Sequence, residues 1–176
     1  MAILAILQYP NKRLHKKAKV VKDFNDPKLQ KVIDDMFETL YNTANCAGLA
    51  ATQLDIADPY QITVIDVSSD KSEPLCLVNP EIIDSEGEVT QWEACMSVNP
   101  GEIYSQVTRA AKVKARAFNR KGKVIEIEAE GILAKCIQHE IDHLHGKLYI
   151  QHLSLLKRQV IDKRIMKLRR RQEDES

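Results

Sequence analysis

The residues of this chain that could carry out chemistry are concentrated in one short run, residues 138–143 (QHEIDH). The run contains an H-E-x-x-H pattern, and on a helix His139 and His143 project from the same face about one turn apart. Two imidazoles on one face can hold a single divalent ion, and Glu140 is then placed to accept a proton from a water molecule. This layout is typical of metal-dependent hydrolases that cleave an amide bond.

The alternative is an ordinary polar helix face with solvated histidines. Apolar residues around the run argue against it, because they recur at mixed spacings of three and four and predict a largely buried helix from about residue 131 to 144. Buried imidazole and carboxylate groups need partners. A metal ion with its water would supply them.

A catalytic site of this kind needs a third protein ligand and one open position. Two common protease patterns fail here. A third histidine would fall at Tyr149, and the downstream glutamates, Glu173 and Glu175, lie in a polar tail.

Cysteines are the remaining candidates for the third ligand. Cys136 shares the helix face, but its Cα lies about 10 Å along the axis from that of His143, so we expect it to pack beside the site. Cys95 lies in residues 93–97 (EACMS), just after a predicted strand, where a loop could meet the helix. On spacing alone Cys76 is formally similar, so the choice stays open.

The rest of the chain predicts the elements that position these residues. Asp26 and Pro27 begin a helix that reaches about residue 45. Strand-like runs follow at 62–67, 75–83, 88–92, 112–118 and 124–129, with a hairpin at residues 119–122 (NRKG). A last helix covers about 154–171. This order indicates an α+β fold, one domain over residues 1–176, with mostly antiparallel sheets around the metal-binding helix.

Composition narrows the class of protein. The chain has 176 residues, 44% hydrophobic and 29% charged, with a formal charge of +1, values typical of one globular domain without a general bias toward nucleic acid or membrane. No apolar run approaches the roughly 20 residues that span a bilayer, and the apolar N-terminus reads as a strand or arm. Four widely spaced cysteines indicate no disulfide framework and therefore a reducing cytoplasm.

Three motifs in a fixed order give the chain a close resemblance to the peptide deformylases. The family patterns G-x-G-x-A-A-x-Q, E-G-C-[LM]-S and Q-H-E-x-D-H-L correspond to residues 46–53 (CAGLAATQ), 93–97 (EACMS) and 138–144 (QHEIDHL). The resemblance covers nearly the whole chain. It implies removal of the formyl group from the N-terminal methionine of new polypeptides, with release of formate.

The resemblance also implies a role for each matching residue. Cys95, His139 and His143 would bind one metal ion, commonly Fe²⁺, with Zn²⁺, Ni²⁺ or Co²⁺ able to replace it. Glu140 would act as general acid and base, while the Gln53 side chain and the Met96 backbone N–H contact the formyl oxygen. The residues expected to contact the substrate are Ala47, Gly48 and Cys136.

The chain departs from the family pattern at three places. Cys46 replaces the first glycine of the first motif, which predicts that a glycine-only backbone conformation there is excluded or strained. Ala94 replaces the glycine beside Cys95. Many relatives carry an arginine shortly after the second motif, where this chain has residues 99–102 (NPGE). The first arginine after Cys95 in this chain is Arg109. Since no ligand is lost, we expect the chemistry to be retained.

The last predicted helix is strongly basic. Residues 157–171 hold eight Lys or Arg and one acid, Asp162. This indicates either a solvated helix packed by its apolar stripe or a surface that contacts phosphates. In the family, some members dock such a helix on the ribosome.

Other readings of the whole chain stay open at this point. One is a ribosome- or RNA-associated deformylase-like paralogue with weak or altered activity. The others are a zincin protease and an RNA-binding protein with a structural metal site.

Overall fold

The computed structural model describes residues 1–176 as three α-helices and five β-strands. The helices are α1 (Pro27–Asn42), α2 (Gly131–Leu144) and α3 (Leu155–Glu175). The strands are β1 (Gly48–Ala50), β2 (Ile62–Ile65), β3 (Leu75–Glu93), β4 (Ser105–Phe118) and β5 (Val124–Glu130). The strands form one antiparallel sheet in the order β1-β2-β3-β4-β5. The predicted α+β class is confirmed.

Strand β3 corrects the prediction of two separate strands at 75–83 and 88–92. Residues 84–87 are polar and exposed, which reads as a turn in the sequence. In the structure they continue the ladder, with Asp84 opposite Lys114 and Glu86 opposite Lys112. The pairing of this long strand with β4 shifts in register between Val78 and Asp84. Its far end delivers Glu93 to the candidate site.

Strand β4 begins at Ser105, seven residues before the predicted start at Lys112. Its inward positions are filled by Val107, Arg109, Val113, Ala115 and Ala117. Strand β5 then returns through the predicted hairpin, in which the Asn119 N–H donates to the Lys123 carbonyl oxygen (2.8 Å).

Helix α2 lies at the centre of the fold and has the predicted bounds. Ile137 is fully buried and, with Ala134 and Ile141, packs against the small inward residues of β4. The chain leaves the helix through Gly146, which has a φ of +77° and lies against the His15 backbone. A Cβ there would come within 2.3 Å of the His15 carbonyl oxygen, so only glycine fits this exit.

The other two helices cover the flanks. Helix α1 packs a face of Leu29, Ile33, Met36 and Leu40 against β1 and β2. Helix α3 is anchored by Ile165, which is buried with Leu14, Tyr149 and other residues of a second apolar cluster. Its Asp162 accepts a hydrogen bond from the Tyr9 hydroxyl (2.8 Å). None of the three helices is long and apolar enough to cross a membrane.

A buried carboxylate braces the loop that precedes β1. Asp66 has no exposed surface and accepts hydrogen bonds from the Tyr41 hydroxyl (2.8 Å) and from Ser68. Its N–H donates to the Ala47 carbonyl oxygen (2.8 Å), and the Lys71 ammonium donates to that of Cys46 (3.3 Å). Burial alone would raise the pKa of Asp66, but the hydrogen bonds from Ser68 and Tyr41 outweigh it and lower that pKa.

The lowered pKa of Asp66 predicts a pH-dependent contribution to stability. Because the folded value lies below the unfolded one, the stabilisation is present above the unfolded pKa of about 3.9 and is lost as pH falls through the folded value. We expect Asp66→Asn to lower the free energy of unfolding at pH 7 by about 2 kcal/mol. Urea denaturation at a series of pH values measures the difference, which should shrink below about pH 4. An equal deficit at every pH would contradict this account.

Candidate active site

Three candidate ligand atoms lie close together, one from the loop after β3 and two from α2. The ligand atoms of Cys95, His139 and His143 all lie within 4.8 Å of one another, and all three residues are buried. The His143 Nε2 is 3.1 Å from the His139 Nε2 and 3.3 Å from the Cys95 Sγ. Donor atoms that share one tetrahedral ion are about 3.3 to 3.6 Å apart. The arrangement therefore fits a single divalent ion.

The orientation of His139 is set by a carboxylate behind it. Its Nδ1 lies 2.6 Å from the Glu93 Oε1, so the Nδ1–H donates to Glu93 and the Nε2 lone pair faces the other donors. This is the arrangement by which a carboxylate fixes the tautomer of a metal-binding histidine and raises its basicity. Burial alone would raise the pKa of Glu93, but the hydrogen bonds from His139 and Arg109 outweigh it and lower that pKa to about 2.

A buried arginine holds Glu93 in turn. The Arg109 guanidinium donates to both Glu93 oxygens, with Nε to Oε2 at 2.8 Å and Nη2 to Oε1 at 2.7 Å. Its Nη1 donates to the Asp142 Oδ2 (3.0 Å), which also lies 2.8 Å from the His152 Nε2. The network ties strands β3 and β4 to α2. Both charges of the buried pair therefore have a partner.

Sequence reasoning missed this network. Arg109 was noted only as the first arginine after Cys95, and neither Glu93 nor Asp142 was assigned a role. The alternating pattern of β4 could have predicted a buried arginine. Val107, Arg109 and Val113 are separated by even numbers of residues, so their side chains lie on the same face of the strand. A charged residue at an inward position of a strand needs a buried partner.

Glu140 lines the same pocket as Cys95 and His139, and its side chain makes no hydrogen bond. The residue is 3% exposed, and its Oε2 is buried without a hydrogen bond. Burial raises the pKa of the Glu140 carboxyl to about 7. A buried carboxyl with a free oxygen beside a metal-binding trio is suited to accept and return a proton near neutral pH.

Gln53 is oriented by its own turn. It ends a 3-10 turn after β1, where its Oε1 accepts from the Ala50 N–H (2.9 Å). The Nε2 donors therefore face the site, 3.5 Å from the Cys95 Sγ and 3.2 Å from the Ser97 Oγ. The Met96 N–H donates no hydrogen bond within the chain. The Gln53 amide and the unpaired Met96 N–H thus both lie next to Cys95.

A pocket of about 220 Å³ opens onto this cluster. Its wall includes each of the three residues expected to contact substrate, Ala47, Gly48 and Cys136, together with Gln53, Met96 and Glu140. A Cβ on Gly48 would come within 2.8 Å of the Cys136 Sγ and 3.1 Å of the Glu140 Oε1. Gly48 therefore packs directly against Cys136 and Glu140, with no room for a side chain.

The substitutions at Cys46 and Ala94 cause no backbone strain. The left-handed residue in this loop is Asn45 (φ +57°), and neither Cys46 nor Ala94 has a positive φ. Of the two expectations for Cys46, exclusion of a glycine-only conformation is the one the structure has, because the turn is made one residue earlier by asparagine, which tolerates this conformation.

The remaining thiols are not grouped with the donors. Burial raises the pKa of Cys46 to about 12 and that of Cys136 well above its usual value, so both thiols stay protonated and neutral. Cys76 lies in β3 and packs on the α1 cluster. The structure thus brings Cys95, and not Cys76 or Cys136, to the two histidines.

The chain is similar to peptide deformylases in both sequence and structure. Residues 3–159 match the family model described as polypeptide deformylase. A protein of Coxiella burnetii named peptide deformylase 1 is 59% identical over 165 residues, which cover 94% of this chain and 96% of that protein. A crystal structure of a peptide deformylase from Legionella pneumophila has a TM-score of 0.88 at 46% identity and covers 98% of both chains. One from Ehrlichia chaffeensis, in complex with actinonin, has a TM-score of 0.85 at 33% identity over 95% of this chain and 98% of that one.

The packing around Gly48 gives a testable prediction about the pocket. Gly48→Ala would push a methyl group against Cys136 and Glu140, an overpacking that costs about 1–3 kcal/mol. We expect hydrolytic activity, measured as kcat/KM, to fall by about ten- to a hundredfold. The double variant Gly48→Ala/Cys136→Ala removes the nearest clash and should recover part of the loss. Full activity in the single variant would show that this wall is not used.

Proposed function

The chain belongs to the polypeptide deformylase family, and on that premise we propose how its residues carry out the reaction. The protein is a metal-dependent hydrolase that removes the formyl group from the N-terminal methionine of newly synthesised polypeptides and releases formate. The observation that supports the residue roles best is the buried trio of Cys95, His139 and His143 with Glu140 beside it.

We propose that this trio holds one divalent ion and that the ion is Fe²⁺. A thiolate with two imidazoles accepts several first-row metals, so Zn²⁺, Ni²⁺ or Co²⁺ would also occupy the site. Support for iron comes from the family resemblance. When bound, the ion supplies a Lewis acid that polarises the formyl group and lowers the pKa of a water molecule.

Glu140 is the proposed general base and acid. Its free Oε2 accepts the proton of the attacking water, and the same carboxyl then delivers that proton to the departing amine of methionine. A pKa raised by burial suits both steps, because the group changes protonation state near neutral pH.

Gln53 and the Met96 N–H are the proposed donors to the formyl oxygen. As water adds, negative charge develops on that oxygen, and donors already aimed at it stabilise the transition state without having to reorient. Gln53 is held in this orientation by the Ala50 N–H. The Met96 N–H is free to donate.

The methionine end of the substrate is proposed to enter the pocket walled by Ala47, Gly48 and Cys136. Gly48 has no side chain and packs directly against Cys136 and Glu140. The protonated Cys136 thiol offers an apolar, polarisable surface of the kind that packs well with a thioether. Together these residues form a pocket suited to a linear apolar side chain.

Helix α3 is proposed to belong to the same domain and to contact the ribosome. Ile161, Ile165 and Leu168 pack it against the body, which leaves most of its basic residues exposed. Lys163, Lys167 and Arg171 line one exposed face beside Glu102. Such a face suits the phosphates of ribosomal RNA, where the nascent substrate emerges. A cytoplasmic location follows from that substrate.

Formate release from a formyl-Met-Ala-Ser peptide tests the function directly. We expect turnover by protein purified without oxygen and loaded with Fe²⁺, and a fall of about 10²- to 10⁴-fold in Glu140→Gln, which keeps the shape of the side chain but cannot carry the proton. Metal analysis of both proteins is the control, since the variant should still bind one ion. Equal rates in the two proteins would remove Glu140 from the mechanism.

The proposed oxyanion role of Gln53 predicts a change in rate rather than in metal content. Removing one donor of this kind typically lowers kcat by about 10²- to 10³-fold, and we expect that range for Gln53→Ala on the same peptide. Metal analysis and kcat are measured on one preparation. Unchanged kcat would contradict the role, whereas loss of the metal would assign Gln53 to holding Cys95.

Charge reversal on α3 tests the ribosome contact without disturbing its packed stripe. The variant Lys163→Glu/Lys167→Glu/Arg171→Glu should bind 70S ribosomes more weakly and with a shallower dependence on salt than the unmodified chain. Sedimentation at several salt concentrations measures both. Hydrolysis of the short peptide should be unaffected. Unchanged ribosome affinity would rule out this face.

A further inference from the structure

An apolar groove lies outside the active-site pocket, between the start of α3 and the end of the β3–β4 pair. Its volume is about 480 Å³. Four large apolar side chains in its wall are more than half exposed: Trp92 (60%), Tyr104 (57%), Leu156 (72%) and Val160 (61%). The Trp92 and Tyr104 rings meet edge to face with centroids 6.0 Å apart. Clustered exposure of this kind marks a binding surface more often than single exposed residues do.

The groove adjoins the active-site pocket through Trp92. The Trp92 ring lines the groove, while its carbonyl oxygen accepts from the Lys135 ammonium (3.3 Å), and Lys135 lines the pocket. The next residue, Glu93, also lines that pocket. Trp92 is three residues from Cys95, so their Cα atoms are at most about 11 Å apart. An extended peptide covers that distance in three to four residues.

The sizes of the two spaces indicate what the groove holds. The active-site pocket, at about 220 Å³, is smaller than the roughly 300–1,000 Å³ of ordinary ligand sites, and it suits little more than the formylmethionine end. A new polypeptide continues beyond that end and must cross the surface. The groove begins at Trp92, three residues from Cys95, and offers that part of the chain an apolar surface.

We propose that this groove binds apolar side chains of the substrate polypeptide, about three to five residues downstream of the formylmethionine. The proposal rests on the deformylase function and adds a preference for one class of substrate. Lys157 and Arg164 also line the groove, and their side chains suit the carbonyl oxygens of an extended chain. Helix α3 thus presents Leu156 and Val160 to the substrate and a different face, with Lys163, Lys167 and Arg171, to solvent.

Three formylated peptides test the preference on the metal-loaded protein. They are formyl-Met-Ala-Ser, formyl-Met-Ala-Ser-Leu-Phe-Ala and the polar counterpart formyl-Met-Ala-Ser-Asn-Gln-Ala. We expect kcat/KM to be about tenfold higher for the apolar hexapeptide than for the polar one, the lower end of what an apolar subsite contributes. Equal values for the two hexapeptides would overturn the proposal, while turnover of the tripeptide would still uphold the function. No turnover of any peptide would overturn both.

Two neighbouring leucines provide a matched pair of variants. Leu156 lines the groove, whereas Leu155 is similarly exposed (63%) but does not line it. Leu156→Ser should lose most of the preference for the apolar hexapeptide and keep tripeptide turnover, and Leu155→Ser should keep both. Equal effects of the two substitutions would overturn the assignment.

Trp92 also gives a readout independent of catalysis, because it is the only tryptophan in the chain. The unformylated peptide Met-Ala-Ser-Leu-Phe-Ala should shift Trp92 fluorescence on saturation, and Met-Ala-Ser should not. A concentration-dependent dimer that Leu156→Ser disperses, with no fluorescence response to either peptide, would instead assign the groove to a second copy of the chain and overturn the proposal.

Discussion

The buried ion pair between Glu93 and Arg109 is the interaction on which the rest of the site depends. It joins the end of β3 to the inward face of β4, and through Asp142 it reaches α2. Removing one partner of such a pair typically costs about 3–5 kcal/mol, because the other charge is left buried and alone. The same carboxylate orients His139. Stability and the orientation of His139 are therefore set by one group of side chains.

The sheet and the central helix make this arrangement possible. Small inward residues on β4, such as Ala115 and Ala117, let α2 approach closely, and the fully buried Ile137 fills the space between them. The loop before β1 is held by Asp66 and Lys71, so Gly48 lies against Glu140 without strain at Cys46. The family departures at Cys46 and Ala94 thus leave the donor cluster unchanged.

Features that depend on local spacing were predictable from the sequence. The bounds of α2, the β4–β5 hairpin and the Cys95, His139 and His143 cluster all follow from short motifs, although Cys95 was separated from Cys76 only by the family pattern. Features that depend on distant partners were not. Residues 84–87 look like a turn until their pairing with β4 is known, and Arg109 looks unremarkable until Glu93 and Asp142 are placed beside it.

The proposed ligand set is tested most directly by the absorption spectrum of the Co²⁺-loaded protein. The spectrum is compared with those of Cys95→Ser and Cys136→Ser, because both thiols line the same pocket. We expect one ion per chain and a thiolate-to-cobalt charge-transfer band that Cys95→Ser removes and Cys136→Ser keeps. A band that survives Cys95→Ser, or disappears in Cys136→Ser, would contradict the proposed ligand set and the mechanism built on it.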